Sequence, residues 1–244
     1  KPSASATPKP APSPTLKPVI TGTLTTLVST KAVVPNAIVT LRQIVKISVP
    51  VTVTVQSITV NGVASEVKKS APEPASTRSP SPGSTPTPAT NQVVAATSTT
   101  VVGPEDTVRV NATTDGGQKI QGVVEIDKVD PFTLANVNFD FASAKLTPAA
   151  KRVLDKVAVV VIEHGFNMIQ LSGHTDVFAS AGYDNQKLSE QRAATVKAYL
   201  AKKLAGEGIA VKTLGLAAKE PVIAKTDEAS RALNRRVEIL VATK

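Results

Sequence analysis

The aromatic residues of this chain are confined to its second half, and this division limits how each half can fold. All seven aromatic side chains, five Phe and two Tyr, lie after residue 131. The residues before that point must build a core from Val, Ile, Leu and Ala. A chain of 244 residues has room for one large domain or two small ones. We therefore expect two regions of different construction.

The first half alternates branched apolar residues with polar ones, a pattern typical of half-buried strands. Asn61-Gly62 and Asp115-Gly116-Gly117 are turn sequences that join antiparallel strands. The strand-like segments lie at 37–41, 49–55, 58–60, 93–94, 107–111 and 120–126. The pattern predicts a β-rich module over residues 19–128. Whether its strands share one sheet is left open, and its partner is unknown.

Two segments have too few apolar residues to form a core. Residues 1–18 and about 70–91 consist mainly of Pro, Ser, Thr and Ala. Burial of such a composition does not offset the entropy lost on ordering. We predict a disordered lead over 1–18 and a flexible insertion over about 70–91 within the β-rich module.

Strand and helix patterns alternate in the second half. Thr147-Pro148 indicates a capped helix start, and Gly165 indicates the end of that helix. The predicted order is strand 133–141, helix 148–164, strand 168–172, helix 186–204, strand 211–216, a polar loop over 225–232 and strand 235–242. This order predicts an α+β domain over 130–244, with helices on one face of a mixed sheet.

Composition argues against several classes of function. The absence of Cys excludes disulfides and thiolate chemistry, and the two His residues lie in different segments, so neither a metal nor another cofactor is expected. No serine has a base beside it, which argues against an enzyme. The net charge of +9 is spread along the chain, so nucleic-acid binding is not favoured. No apolar run is long enough to span a membrane as a helix, and the start at Lys1 is consistent with an exported protein.

The segment Gly173–Ala193 contains the strongest candidate for a binding site. Asp176 follows a strand, and Arg192 lies in the next helix, sixteen residues further along the chain. Ligands collect at the ends of strands in such folds, and a helix N-terminus favours anions. One interpretation is that Asp176 and Arg192 form a structural salt bridge or are two solvated surface charges. The other is a ligand carrying both an ammonium and a carboxylate, with Asn185 either capping the helix or contacting the ligand.

Four sequence blocks in a fixed order resemble a known family. They are Phe139-Asp140-Phe141 with Leu146-Thr147-Pro148, Gly173-His174-Thr175-Asp176, Asn185-x-x-Leu188-Ser189-x-x-Arg192-Ala193, and Asn234-Arg235-Arg236-Val237-Glu238-Ile239. Over about residues 130–242 the chain resembles the OmpA-like C-terminal domain, a peptidoglycan-binding module of bacterial envelope proteins. The resemblance implies a β-α-β-α-β-β fold. The first half resembles no family that we can name.

The resemblance also implies a ligand and the residues that hold it. The ligand is the diaminopimelate of the peptidoglycan stem peptide. Asp176, in the Thr175-Asp176 step, would hold its ammonium, and Arg192 would hold its carboxylate. Asn185 and either Arg235 or Arg236 would support them, and only one of these two successive arginines is expected to face the site. The implied role is non-covalent anchoring of a secreted or envelope protein to the cell wall.

Three departures from the family pattern motivate an alternative function. The spacing from Asp176 to Arg192 is one residue longer than the commonest pattern, Ala142 stands where many members carry a polar residue, and Phe178 is apolar. The alternative is a structural or adhesive surface protein whose OmpA-like domain is a scaffold with weak or no ligand binding.

Overall fold

The computed structural model describes residues 21–28, 35–39, 41–72, 91–98, 101–124, 126–177 and 184–243. The predicted lead over 1–18 and residues 73–90 of the predicted insertion lie outside these ranges. At the edges of that predicted segment, regular strands extend to Pro72 and resume at Asn91. No helix in the described ranges is both long enough and apolar enough to cross a membrane.

Eight strands from the first half share a single sheet, which answers the question left open by the sequence. Their spatial order is β8-β7-β4-β5-β6-β3-β1-β9. Neighbours are antiparallel except β1 and β9, which are parallel. The strands are β1 (Thr21–Val28), β3 (Leu41–Pro50), β4 (Val53–Val60), β5 (Val63–Pro72), β6 (Asn91–Ser98), β7 (Val108–Thr114), β8 (Lys119–Val124) and β9 (Ile126–Val129).

The core of this sheet is made of branched aliphatic residues, as the composition predicts. Val53 and Val55 of β4 are buried, and the buried positions then shift by one residue to Ile58 and Val60. A bulge against β7 between Val55 and Ser57 causes the shift, because an extra residue reverses the alternation. At the end of β4, Asn61 and Gly62 have φ values of 49° and 81°. A two-residue hairpin turn of this kind requires a positive φ at both positions.

The second half builds a five-stranded mixed sheet with two long helices, so the predicted α+β class is confirmed. The spatial order is β12-β11-β13-β10-β2, where β2 is Ala37–Ile38, and only β11 and β12 are parallel. Helices α1 and α2 pack against each other and against this sheet. The elements are β10 (Phe132–Asn138), α1 (Pro148–Glu163), β11 (Met168–Gly173), α2 (Asn185–Lys203), β12 (Ala210–Gly215), α3 (Glu228–Asn234) and β13 (Arg236–Ala242).

Several segments differ from the sequence prediction. The segment 49–55 is not one strand, because β3 ends at Pro50 and β4 begins at Val53. The segment 225–232 contains the start of helix α3 rather than only a loop, and the Asp227 side chain caps that helix by accepting from the Ser230 backbone N–H. Contrary to the sequence prediction, the segment 37–41 does not form one strand of the β-rich module. Its residues Ala37–Ile38 form β2, which pairs with β10 at the edge of the second sheet.

Candidate functional site

A small crevice lies where the chain leaves β10 and β11 and enters α2 and β13. All of the elements around it belong to the second half of the chain. Both charged residues predicted for the site, Asp176 and Arg192, line this one space. The lining consists of Phe141, Ala142, Thr175, Asp176, Asn185, Leu188, Arg192 and Arg235.

Close packing of α2 on the end of β11 brings Arg192 to the crevice. A Cβ atom at Gly173 would lie 2.0 Å from the backbone oxygen of Ser189, so only glycine permits this approach. Ser189 is itself buried, and its hydroxyl accepts from the Ala217 backbone N–H. The Gly173 and Ser189 positions of the sequence motif therefore fix the helix that carries Arg192.

Arg192 is completely buried and joins two segments of backbone. Its Nε donates to the Ser143 oxygen at 2.9 Å, its Nη1 to the His174 oxygen at 2.8 Å and its Nη2 to the Asp140 oxygen at 3.2 Å. A guanidinium has five N–H groups, so two remain for another acceptor. Burial lowers the pKa of Arg192 to about 10, with the Asp176 charge opposing and the Arg235 charge adding to this effect. The group is therefore still a cation at neutral pH.

Asp176 pairs with Arg235 and not with Arg192, so the predicted structural salt bridge is not the one that forms. Arg235 Nη1 lies 3.1 Å from Asp176 Oδ2, and both side chains are more than nine-tenths buried. No group in the described part of the chain donates to the other carboxylate oxygen, Oδ1. Arg235 also donates through Nη2 to Glu228 Oε1 at 2.7 Å and through Nε to the Phe139 oxygen at 3.3 Å.

Thr175 and Asn185 also line the crevice. The buried hydroxyl of Thr175 has no hydrogen-bond partner within the described ranges. The side chain of Asp184, not that of Asn185, caps α2 by accepting from the Lys187 backbone N–H at 3.0 Å. Of the two roles suggested for Asn185, capping is therefore wrong, and the side chain is positioned beside the crevice.

Of the two successive arginines, of which the sequence predicts that only one faces the site, Arg235 lines the crevice and Arg236 does not. Arg236 is the first residue of β13, and its side chain bonds Glu238 and the Glu220 backbone oxygen. Successive residues of an extended chain point in opposite directions, which separates it from Arg235. His174 lies near the same carboxylate, with its Nε2 atom 4.0 Å from Glu238.

Sequence reasoning missed Glu228 as part of the charge network around the crevice. It belongs to α3, a seven-residue helix without an apolar stripe, so no periodic pattern pointed to it. The Asp227–Ser230 cap sequence was the available signal.

Ala142 has a φ of 51°, a conformation that disfavours residues with a Cβ. Phe178 and most of the longer loop lie outside the described residues.

The described residues contain no group of three or more His, Asp or Glu side chains placed to hold a metal ion. The crevice instead presents a carboxylate oxygen, guanidinium N–H groups, a hydroxyl and an amide around an apolar rim. Such a set can form hydrogen bonds with a small group that carries both a positive and a negative charge.

Comparison with known proteins assigns the second half of the chain. It is 36% identical over 111 residues to the probable lipoprotein YiaD of Escherichia coli, covering 44% of this chain and 48% of that protein. It is 38% identical over 98 residues to the outer-membrane lipoprotein YfiB of Pseudomonas aeruginosa, covering 40% and 56% respectively. The peptidoglycan-binding protein ArfA of Mycobacterium bovis is 36% identical over 114 residues, covering 46% and 34%.

The chain thus spans about half the length, or less, of these curated relatives. All three alignments cover less than half of this chain. The model of the OmpA family matches residues 138–235, which include every residue that lines the crevice. Residues 138–235 of this chain are an OmpA family domain.

Proposed function

We propose that residues 130–244 bind peptidoglycan non-covalently, through the diaminopimelate of its stem peptide, and so anchor an envelope protein to the cell wall. The far end of a diaminopimelate side chain carries one ammonium and one carboxylate. Asp176 would accept hydrogen bonds from the ammonium, and Arg192 would donate to the carboxylate. The mycobacterial relative with the peptidoglycan-binding name supports this class of ligand.

The observation that carries this proposal is the unused bonding capacity of the two charged groups in one crevice. Asp176 Oδ1 has no donor among the described residues, and Arg192 uses three of its five N–H groups. Buried polar groups are normally satisfied, so unused groups that face a crevice favour a ligand. A guanidinium can also hold a carboxylate with two parallel bonds, which a lysine cannot do.

Thr175, Asn185 and Arg235 are proposed as supporting contacts. The hydroxyl of Thr175 and the amide of Asn185 have no protein partner among the described residues and lie at the crevice. Arg236 is not included, because its side chain lies on the other side of the strand. The partner of the β-rich module is not identified by any of these contacts.

One observation favours the alternative function, a structural or adhesive protein with the OmpA domain as a scaffold. The bonds of Arg192 to three carbonyl oxygens and the Asp176–Arg235 pair would stabilise the fold without any ligand. A structural role of this kind does not use Asp176 Oδ1 or the remaining Arg192 N–H groups. Binding to cell wall separates the two functions.

The test is sedimentation of the protein with insoluble cell wall of the diaminopimelate type. Asp176→Asn removes the charge but keeps the shape and an acceptor for Arg235. We expect it to lower the affinity about thirtyfold or more, because loss of one partner of a desolvated charge pair costs about 2–5 kcal/mol. Glu207→Gln, an exposed carboxylate away from the crevice, is the matched control. If the Asp176→Asn protein sediments with cell wall as well as the wild type does, the scaffold function is favoured.

A further inference from the structure

Arg235 forms ion pairs with two carboxylates, those of Asp176 and Glu228. The first of these lies on the side of the crevice that is proposed to bind the ammonium. An arginine beside a carboxylate usually binds it with two parallel hydrogen bonds. Arg235 instead makes one bond to Asp176, from Nη1 to Oδ2 at 3.1 Å. Its Nη2 donates to Glu228 Oε1 at the shorter distance of 2.7 Å. Nη2 of Arg235 is therefore bonded to Glu228 and not to Asp176.

Glu228 is itself held in position. Its other oxygen, Oε2, accepts from Arg231 Nη2 at 2.8 Å, within the same short helix. The hydrogen bond from Arg235 is the main cause of the lowered pKa of Glu228, and a smaller burial effect opposes it. Glu228 therefore stays ionised at neutral pH. It does not line the crevice, and the bond to Arg235 is its direct connection to a lining residue.

We infer that Glu228 is a positioning residue. By accepting a hydrogen bond from Arg235 Nη2, it prevents Arg235 from bonding to both oxygens of Asp176, and so keeps Asp176 Oδ1 available to the ammonium of the ligand. This inference rests on the proposed function and identifies Glu228 as a determinant of the specificity for a ligand with an ammonium group. Without Glu228, Nη2 of Arg235 is released beside a buried carboxylate. The guanidinium then closes on both oxygens of Asp176, and its positive charge is no longer balanced by Glu228.

The inference predicts opposite effects on two kinds of ligand. A ligand with the ammonium must compete with Arg235 for Asp176, so its binding weakens when Glu228 is removed. A ligand with only the carboxylate does not use Asp176, and it meets a more positive crevice. A purely structural role of Glu228 in α3 would weaken the binding of both ligands alike.

The experiment measures the affinities of three stem tetrapeptides for the wild-type chain and for Glu228→Ala. The peptides differ at one position, which is diaminopimelate, lysine (ammonium only) or 2-aminopimelate (carboxylate only). We expect Glu228→Ala to weaken the first two about two- to fivefold, the range for a partly exposed ion pair. Binding of the carboxylate-only peptide should be unchanged or tighter. Glu207→Ala, which removes an exposed carboxylate far from Arg235 in sequence, should change none of them.

A double-mutant cycle tests the route through Arg235. In an Arg235→Gln background, Glu228→Ala should have no further effect on the preference for ammonium-bearing peptides. An equal loss for all three peptides, or no change in any, would overturn the inference. The crystal structure of ligand-free Glu228→Ala gives a result that does not depend on peptide binding. Two bonds from Arg235 to Asp176 are expected there, and an unmoved Arg235 would contradict the inference.

The two proposals fail in different ways. If the wild-type chain binds none of the three peptides, the proposed function is wrong, whereas the position of Arg235 in the Glu228→Ala crystal still tests the positioning role. If the wild-type chain prefers the diaminopimelate peptide but Glu228→Ala keeps the same preference, the positioning role is wrong and the proposed function stands.

Discussion

Arg192 is a structural residue as well as the proposed carboxylate-binding group. Its three bonds to carbonyl oxygens tie the turn after β10 to the end of β11. A substitution at this position therefore changes stability together with binding. For this reason Asp176, whose pairing with Arg235 survives in an Asn variant, is the cleaner position at which to test ligand binding.

Arg192→Lys should destabilise the domain while retaining the positive charge. An ammonium cannot reach three carbonyl oxygens in the plane that a guanidinium spans, so buried acceptors are left without donors. We expect a loss of about 3 kcal/mol in the free energy of unfolding, measured by urea denaturation. Arg152→Lys, at an exposed position of α1, should change it by less than about 0.5 kcal/mol. Equal stability of the two variants would show that the carbonyl bonds contribute little.

His174 gives the native state a dependence on pH. Burial, together with the positive charge of Arg236, lowers its pKa from 6.5 to about 4, and Glu238 opposes this shift. Between these two values the unfolded chain binds a proton that the native state does not bind. The stability contribution is therefore complete above pH 6.5 and is lost as the pH falls towards 4.

The expected loss between pH 6.5 and pH 4 is roughly 3 kcal/mol of unfolding free energy. Urea denaturation at several pH values measures it. His174→Gln should have a flatter profile over this interval, whatever its absolute stability, because the titrating group is gone. Parallel profiles for the two proteins would refute the assignment. The backbone oxygen of His174 accepts from Arg192, so this buried histidine also belongs to the support of the binding site.

At the scale of elements, the approach of α2 to β11 decides whether Arg192 reaches the crevice. Gly173→Ala places a Cβ atom 2.0 Å from the Ser189 oxygen, and backbone atoms cannot yield as a flexible side chain can. We expect a loss of about 2–3 kcal/mol in stability and weaker binding of the diaminopimelate peptide. Thermal unfolding and calorimetry measure the two effects.

Gly116→Ala is the matched control for this substitution. The added Cβ would have the Thr114 hydroxyl as its nearest neighbour, at 3.8 Å, which is an ordinary contact. Its stability should stay close to that of the wild type. A Gly173→Ala protein with wild-type stability would mean that α2 shifts freely on the sheet.

The sequence predicted elements whose signals are local. Thr147-Pro148 and Gly165 marked the ends of α1 because capping involves neighbouring residues. Asn61-Gly62 marked a hairpin because only certain residues adopt its backbone angles. The two residues of β2 carry no periodic signal, and their pairing with β10 joins positions about a hundred residues apart. That pairing depends on the tertiary fold and was not predictable from residues 37–41.

As with the fold, the sequence predicted the parts of the site that stand in local motifs and not the contacts that depend on the tertiary fold. Asp176 and Arg192 stand in recognisable motifs on either side of one loop, and both line the crevice. Arg235 reaches Asp176 from 59 residues away, through the antiparallel pairing of β13 with β11. Glu228 joins that pair from a helix that the sequence pattern did not show. The exact charge network therefore required the three-dimensional fold.

At the scale of the whole molecule, the two halves are in direct contact rather than simply joined in sequence. His164, at the end of α1, hydrogen-bonds Asp106 with 2.6 Å between Nδ1 and Oδ2. Gly103 lies so close that an added Cβ would be 2.0 Å from the His164 oxygen. Strand β2 adds a second connection at β10, where Asn36 and Asn138 exchange hydrogen bonds.

Gly103→Ala should loosen this contact without altering the crevice. We expect it to lower the stability by about 2 kcal/mol through overpacking, and to increase hydrogen exchange in residues 101–107 and 160–166. Its affinity for the diaminopimelate peptide should equal that of the wild type, because no residue of this contact lines the crevice. Unchanged exchange in both segments would show that the two halves do not depend on this contact.

The most direct test of peptidoglycan binding is calorimetric titration of the wild-type chain with the diaminopimelate, lysine and 2-aminopimelate tetrapeptides. If Asp176 and Arg192 each hold one charge of the ligand, removal of either the carboxylate or the ammonium leaves a buried group without its partner. We predict that the diaminopimelate peptide binds about thirtyfold or more tightly than each of the other two. Equal affinity for the three peptides, or no measurable binding of the diaminopimelate peptide, would contradict the account.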